Sequence, residues 1–212
     1  MKHKLPAIES KANTHYKSIL STTLIKNTSM SELSSLLAKI SITQENLNKF
    51  LAAPVATFES QPGWKEWWDS REMYGKSEFT TDLLDAYNEE STNQGIVTDW
   101  IEYKPSVTHS EYNPHTQTWY FSIFQFSENY QEMIPVLGFL RSIETYKNLD
   151  DSDFVIVYPF VWGDDTVQAY IRFKDNESYF ADKTDQQHQR LASLYLDKIW
   201  KDLETKYNNE PD

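Results

Sequence analysis

The sequence predicts an α+β fold: an antiparallel sheet of hairpins, packed by helices on one face in the order ββαββα, with a small helical unit in front. Three observations carry this expectation. Residues 95–174 hold four stretches rich in β-branched and aromatic side chains, arranged as two pairs. Each pair is followed by a stretch whose apolar residues recur at helical spacing. Before residue 54 the apolar spacing reads as helical.

Residues 1–54 are expected to form the helical unit. "HYKSILSTTLIKN" is a weak first helix. "SMSELSSLLAKI" sets Glu32 three positions after Ser29, the capping-box spacing, and places Leu33, Leu36, Leu37 and Ile40 on one helical face. Thr43 then caps "QENLNKFLAA", with Leu47, Phe50 and Leu51 on one side, until Pro54 stops it. Residues 55–92 form a Trp-rich helical connector. Trp64, Trp67 and Trp68 stand at i, i+3 and i+4, so one helical turn presents three indoles together. "TTDLLDAYNEE" follows as a short helix.

The α+β domain spans 93–212. "GIVTDWIEYK" and "TQTWYFSIFQF" are its first two strands, joined by the polar "PSVTHSEYNPH". "NYQEMIPVLGFLRSIETYKN" is a helix with Met133, Leu137, Leu140 and Ile143 inward and Pro135 in its first turn. "DFVIVYPFVW" and "TVQAYIRFK" make the second hairpin. "DQQHQRLASLYLDKIWKDLETKY" closes the chain as a helix striped by Leu191, Tyr195, Ile199, Leu203 and Tyr207.

The Gly-Asp-Asp at 163–165 resembles the metal-binding turn of RNA-template polymerases, but strict alternation through Val167, Ala169, Ile171 and Phe173 marks a half-buried hairpin strand. Gly163 and the two aspartates are turn residues on this reading. A palm would also need a basic channel, which so acidic a chain lacks.

Composition removes several function classes. With 39% apolar and 15% aromatic residues, the 212-residue chain can fill a substantial core. No cysteine is present, which removes disulfides, thiol nucleophiles, Fe–S clusters and thiolate zinc sites. The five glycines are scattered, so no phosphate loop, dinucleotide fingerprint or nucleophile elbow can be assembled. The first residues hold no apolar leader and no long apolar run follows, so a soluble, cytoplasmic protein is expected.

Net charge is −12 and unevenly spread: residues 1–55 carry +4, residues 56–212 carry −16. His109, Glu111 and His115 share one polar stretch, but their spacing matches no metal-ligand pattern. Asp150, Asp151 and Asp153 lack the sixth-position glycine and closing glutamate of an EF-hand. No metal or cofactor is therefore expected. Glu66, Asp69 and Glu72 beside the tryptophans would suit a sugar cleft, yet any pair among 32 acids could be chosen. The three tryptophans read first as core anchors and second as a partner-binding hot spot. His188 reads as a surface residue.

"LLAKISITQENLNKFL", within residues 33–52, resembles the helix-turn-helix template of bacterial repressors. The resemblance implies that Gln44, Glu45, Asn48 and Lys49 would face DNA. Ser41 stands where that template has glycine, Leu37 replaces a small residue, and the segment has no arginine for phosphates.

The expectation that best fits the charge is a non-enzymatic binding protein. Acidic, aromatic-rich surfaces hold basic partners, as in bacterial immunity proteins, antitoxins and DNA mimics, which share these properties without sharing this sequence. The residues assigned to such a partner, a toxin or nucleic-acid-binding enzyme, are Trp162, Asp164 and Asp165, then Asp150, Asp151 and Asp153, with Trp64, Trp67 and Trp68. The alternatives are a DNA-binding regulator with a C-terminal sensing domain and an enzyme of unrecognised type.

Overall fold

The computed structural model describes residues 32–57, 61–84 and 92–209. The weak helix at 15–27 and residues 85–91 of the connector lie outside them. Residues 33–212 group as one compact unit, an α+β fold built on one sheet.

Its elements are β1 Ser35–Ser41, α1 Gln44–Ala52, α2 Trp64–Asp69, α3 Asn93–Glu102, β2 Thr108–Asn113, β3 Thr118–Ile123, α4 Tyr130–Arg141, β4 Phe154–Tyr158, β5 Ala169–Lys174, β6 Glu177–Phe180 and α5 Gln186–Asn209. The sheet is antiparallel throughout, in the order β2–β3–β1–β4–β5–β6.

The largest correction to the sequence reading is β1. Residues 35–41 form a strand and not a helix, and they sit mid-sheet, paired to β3 on one side and β4 on the other. Leu36, Ala38 and Ile40 enter the main core while Leu37 is buried on the opposite face. A short apolar run buried on both faces carries no two-residue alternation, so it mimics helical spacing. The segment 33–54 is thereby part of the sheet unit.

"GIVTDWIEYK" is corrected the other way. It lies in α3, where the Thr92 hydroxyl accepts the Gly95 N–H at 3.3 Å and Ile96, Val97 and Trp100 turn inward at helical spacing. The polar stretch after it supplies β2 instead. β6 is a further strand, reached from β5 through Asp175 and Asn176 at φ 52° and 62°, a two-residue turn of the type that Asp and Asn tolerate.

Helices cover both faces, not one. On the first, α1, α2, α3 and α4 pack over Ala38, Phe121, Val155, Ile171 and their neighbours. Pro135 lies inside α4, beyond the first turn, in a helix buried from Met133 to Arg141. Phe50 of α1 stacks on Phe139 with ring centres 5.5 Å apart and meets Trp119 and Tyr146.

The second face carries α5. Tyr195 stacks on Tyr120 at 4.9 Å, His188 on Phe154 at 4.3 Å and Trp200 on Phe124 at 5.5 Å. The buried stripe is Ala192, Leu196, Ile199 and Trp200: Ile199 is where the sequence puts it, Ala192 and Leu196 replace the positions just before them, and Trp200 is added. His188 is half-buried, not a surface residue. Among the described residues no helix is long and apolar enough to cross a membrane.

Phe50 touches both helical and strand rings, so Phe50→Ala opens a cavity that no neighbour can close. Guanidinium unfolding should show a loss of about 3–5 kcal/mol with an unchanged native circular dichroism spectrum.

Candidate functional site

The three tryptophans lie on α2, which starts from Gly63 at φ 83°. All three are buried, Trp68 completely. Trp67 stacks on Phe180 at 5.2 Å and Trp64 meets both rings edge-on. Trp64 and Trp67 anchor α2 to β6, while Trp68 packs against Phe79 and donates its indole N–H to the Ser77 carbonyl at 3.0 Å.

Arg141 completes this knot. Its guanidinium lies 4.9 Å from the ring centres of both Trp64 and Phe180 and donates to the Pro62 and Ser178 carbonyls at 2.8 and 2.9 Å. Burial pushes it down to about 10, so it remains a cation at neutral pH.

The loop 159–168 connects β4 to β5. The Gly-Asp-Asp is not a tight hairpin turn: Phe160–Trp162 form a 3₁₀ turn, which Gly163 ends at φ 70° by donating to the Phe160 carbonyl at 3.1 Å. Asp164 then accepts the Thr166 N–H at 2.8 Å. Hydrogen bonds from Thr166 hold the Asp164 carboxyl below the usual carboxylate range. Asp164 and Asp165 are exposed and Trp162 is half-buried beside them.

The end of this loop is fixed from several sides. The Gln168 carbonyl accepts the Trp67 indole at 3.1 Å and Arg71 at 2.8 Å, its N–H donates to the Val157 carbonyl, and its side chain accepts the Ser34 hydroxyl. Gln189 of α5 donates to the Asp165 carbonyl at 2.9 Å. Next to the loop a cleft of about 450 Å³ opens between α2 and the β5–β6 edge, lined by Glu66, Trp67, Arg71, Gln168, Phe180 and Asp182, among others. Glu66 and Asp182 are exposed at its walls. Arg71 and Asp182 carried no signal in the sequence, because only folding sets them beside the loop.

Asp150, Asp151 and Asp153 do not join this group. They precede β4 while the loop follows it, and five residues at ~3.3 Å each separate the two ends of the strand by ~17 Å. Asp153 is fully buried, 3.1 Å from the equally enclosed Lys147 and accepting the Ser41 N–H at 2.8 Å. Burial pushes its carboxyl up, opposed by the Ser41 N–H and Lys147. It is a structural ion pair. Asp150 accepts the Ser152 N–H and Ser41 hydroxyl, which hold its carboxyl low, the Ser152 backbone most of all. Asp151 is exposed.

Thr43 caps α1 as its sequence implies, accepting the Asn46 N–H at 3.2 Å. Gln44, Glu45, Asn48 and Lys49 are exposed on it, but they engage each other: Lys49 pairs with Glu45 at 2.7 Å and Gln44 donates to Asn48. With β1 in place of the first helix, the helix-turn-helix pattern is not formed. His109 and Glu111 share one face of β2 while His115 lies in the following turn. No group of three metal-ligating side chains gathers among the described residues. Asp69 is exposed and pairs with Lys65, and Glu72 is exposed.

Comparison with protein-family profiles, with curated proteins and with solved structures gives no match to this chain.

Asp153→Asn strands the Lys147 ammonium without a counter-ion, and urea unfolding should lose about 3–5 kcal/mol. For His188, desolvation lowers the imidazole below its ordinary value, Arg172 and Lys39 add to this, and Asp185 opposes it. The folded chain therefore favours the neutral ring. Its stabilising contribution is complete above about pH 6.5 and is lost as pH falls through the lower folded value. His188→Phe keeps the stack on Phe154 and should flatten the fall in melting temperature between about pH 7 and 5.5.

Proposed function

We propose that this chain is a non-enzymatic acidic binding protein of the immunity or antitoxin kind, and that its 159–168 loop holds a basic protein partner such as a toxin or nuclease. The observation that carries the reading is the loop's construction. Its backbone is tied to α2, α5 and β4, while the Asp164 and Asp165 carboxylates stand in solvent beside Trp162.

A surface already ordered before binding loses little conformational freedom when the partner arrives, which favours affinity. A half-buried tryptophan flanked by charge has the composition of an interface hot spot. Glu66 and Asp182 extend the same sign of charge along the adjoining cleft. Residues 33–212 carry 30 acids against 15 Lys and Arg, a balance that speeds encounter with cationic surfaces. The regulator reading receives no comparable support, since Lys49 is engaged by Glu45.

The full chain used as bait in a lysate of its host cell should retain a basic protein, and the complex should weaken as salt rises. Asp164→Lys with Asp165→Lys should raise the dissociation constant at least about tenfold without changing the melting temperature by more than a few degrees. Retention of the same partner at equal affinity by this double variant would contradict the proposal. So would salt-dependent binding of DNA in place of a protein.

A further inference from the structure

The two edges of the sheet are treated differently. On β6, the outward N–H of Ser178 donates to the Glu144 carboxylate at 2.6 Å and its outward carbonyl accepts Arg141 at 2.9 Å. That edge is closed by side chains. β2 is the other edge. The β1–β3 ladder ends with the Ile42 N–H on the Gln117 carbonyl, so Trp119, Phe121 and Ile123 of β3 bond toward β1. Thr118, Tyr120 and Ser122 therefore bond toward Asn113, Glu111 and His109. The main-chain groups of Thr108, Ser110 and Tyr112 consequently point away from the sheet, and among the described residues none receives a backbone partner.

Within β2 itself, several of the usual protections of such an edge are missing. β2 is six residues long, with no proline, no lysine and no charge among its outward-bonding residues. Large exposed apolar side chains stand on the segments that adjoin it. Ile101 and Tyr103 lie in the chain just before β2, 37% and 59% exposed, and Leu194, 63% exposed, adjoins Tyr195, whose hydroxyl reaches Glu111. They are three of the six exposed large hydrophobics among the described residues.

We propose that a second copy of this chain occupies the β2 edge, pairing antiparallel about Ser110 to join the two sheets into one. The register follows from the residues. Centring on Ser110 sets Thr108 opposite Tyr112 of the second copy and Ser110 opposite Ser110, so every outward N–H and carbonyl meets its complement. The same register brings His109 of each copy opposite Glu111 of the other, on the face that carries α5. Directly opposed residues in the non-hydrogen-bonded positions of such a ladder lie about 4.5 Å apart, close enough for their side chains to pair. The strand is thus complementary to itself, as a two-fold contact requires. A foreign strand would have to supply that alternation of base and acid independently. The loop 159–168 lies on the β4–β5 side of the sheet and stays open in this dimer.

Light scattering on the eluting full chain at micromolar concentration reads the state directly. The wild type should have twice the chain mass. Ser110→Pro removes the central outward N–H and should give the monomer with a native circular dichroism spectrum. Ser110→Ala loses only the hydroxyl that accepts the Trp119 indole and should remain dimeric. Glu111→Lys removes the carboxylate that faces His109 at two symmetric places and should weaken the dimer about tenfold, and adding His109→Glu should restore it by setting an acid opposite each new lysine. If Ser110→Pro fails to fold, this charge exchange decides. A monomeric wild type overturns the proposal, including one that takes up a strand only from another protein. So does a folded Ser110→Pro that stays dimeric, or a Glu111→Lys with unchanged association.

Discussion

Gln168 receives the Trp67 indole and the Arg71 guanidinium on a single carbonyl oxygen, while its N–H closes onto Val157 and its amide side chain onto Ser34. These contacts bind four separate parts of the chain: α2, the segment after it, the end of β4 and the approach to β1. These groups are part-buried, and the more a polar group is enclosed the more an unmade hydrogen bond costs relative to what a made one contributes. That asymmetry fixes the residue in one place. The position of the acidic loop, the seating of the tryptophans and the walls of the adjoining cleft all derive from it.

The same logic of enclosed charge runs through the fold. Arg141 stays cationic in the core because aromatic faces and carbonyls replace its water, and it reaches out to close the β6 edge. Lys147 and Asp153 neutralise each other at the opposite end of β4. These charges are structural. Among the many acids that stay outside, Asp164, Asp165, Glu66 and Asp182 are set apart by their place around the loop and cleft and not by abundance. Charge counting over the whole sequence could not separate the two kinds.

Where amphipathic pattern and local chemistry agree, the sequence states the structure: α1 with its Thr43 cap, the alternation through β5, the apolar run of β4 and the long final helix. It fails where burial is two-sided or edge polarity is high. β1 lies between β3 and β4 with both faces covered, so its leucines carry no two-residue period. α3 contains Ile96 and Val97, whose β-branching suggests strand, but their packing follows the helical turn. β2 and β6 are too polar or too short to announce themselves, and pairing alone makes them strands.

The candidate site divides in the same way. Trp162, Asp164 and Asp165 are readable as an exposed acidic turn beside an aromatic ring, because glycine and aspartate mark loops. Asp153 reads identically in the sequence, yet a lysine six positions earlier encloses it. Arg71 and Asp182 become neighbours of the loop only through the packing of α2 on β6.

What this account requires above all is that a charged surface stretch be as firmly held as a strand. Amide hydrogen exchange on the full chain, followed residue by residue, addresses that most directly. The N–H groups of Trp162, Gly163 and Gln168, each bonded to a carbonyl here, should exchange nearly as slowly as those of β4. Exchange at the rate of unstructured backbone from 160 to 168, with β4 still protected, would contradict it.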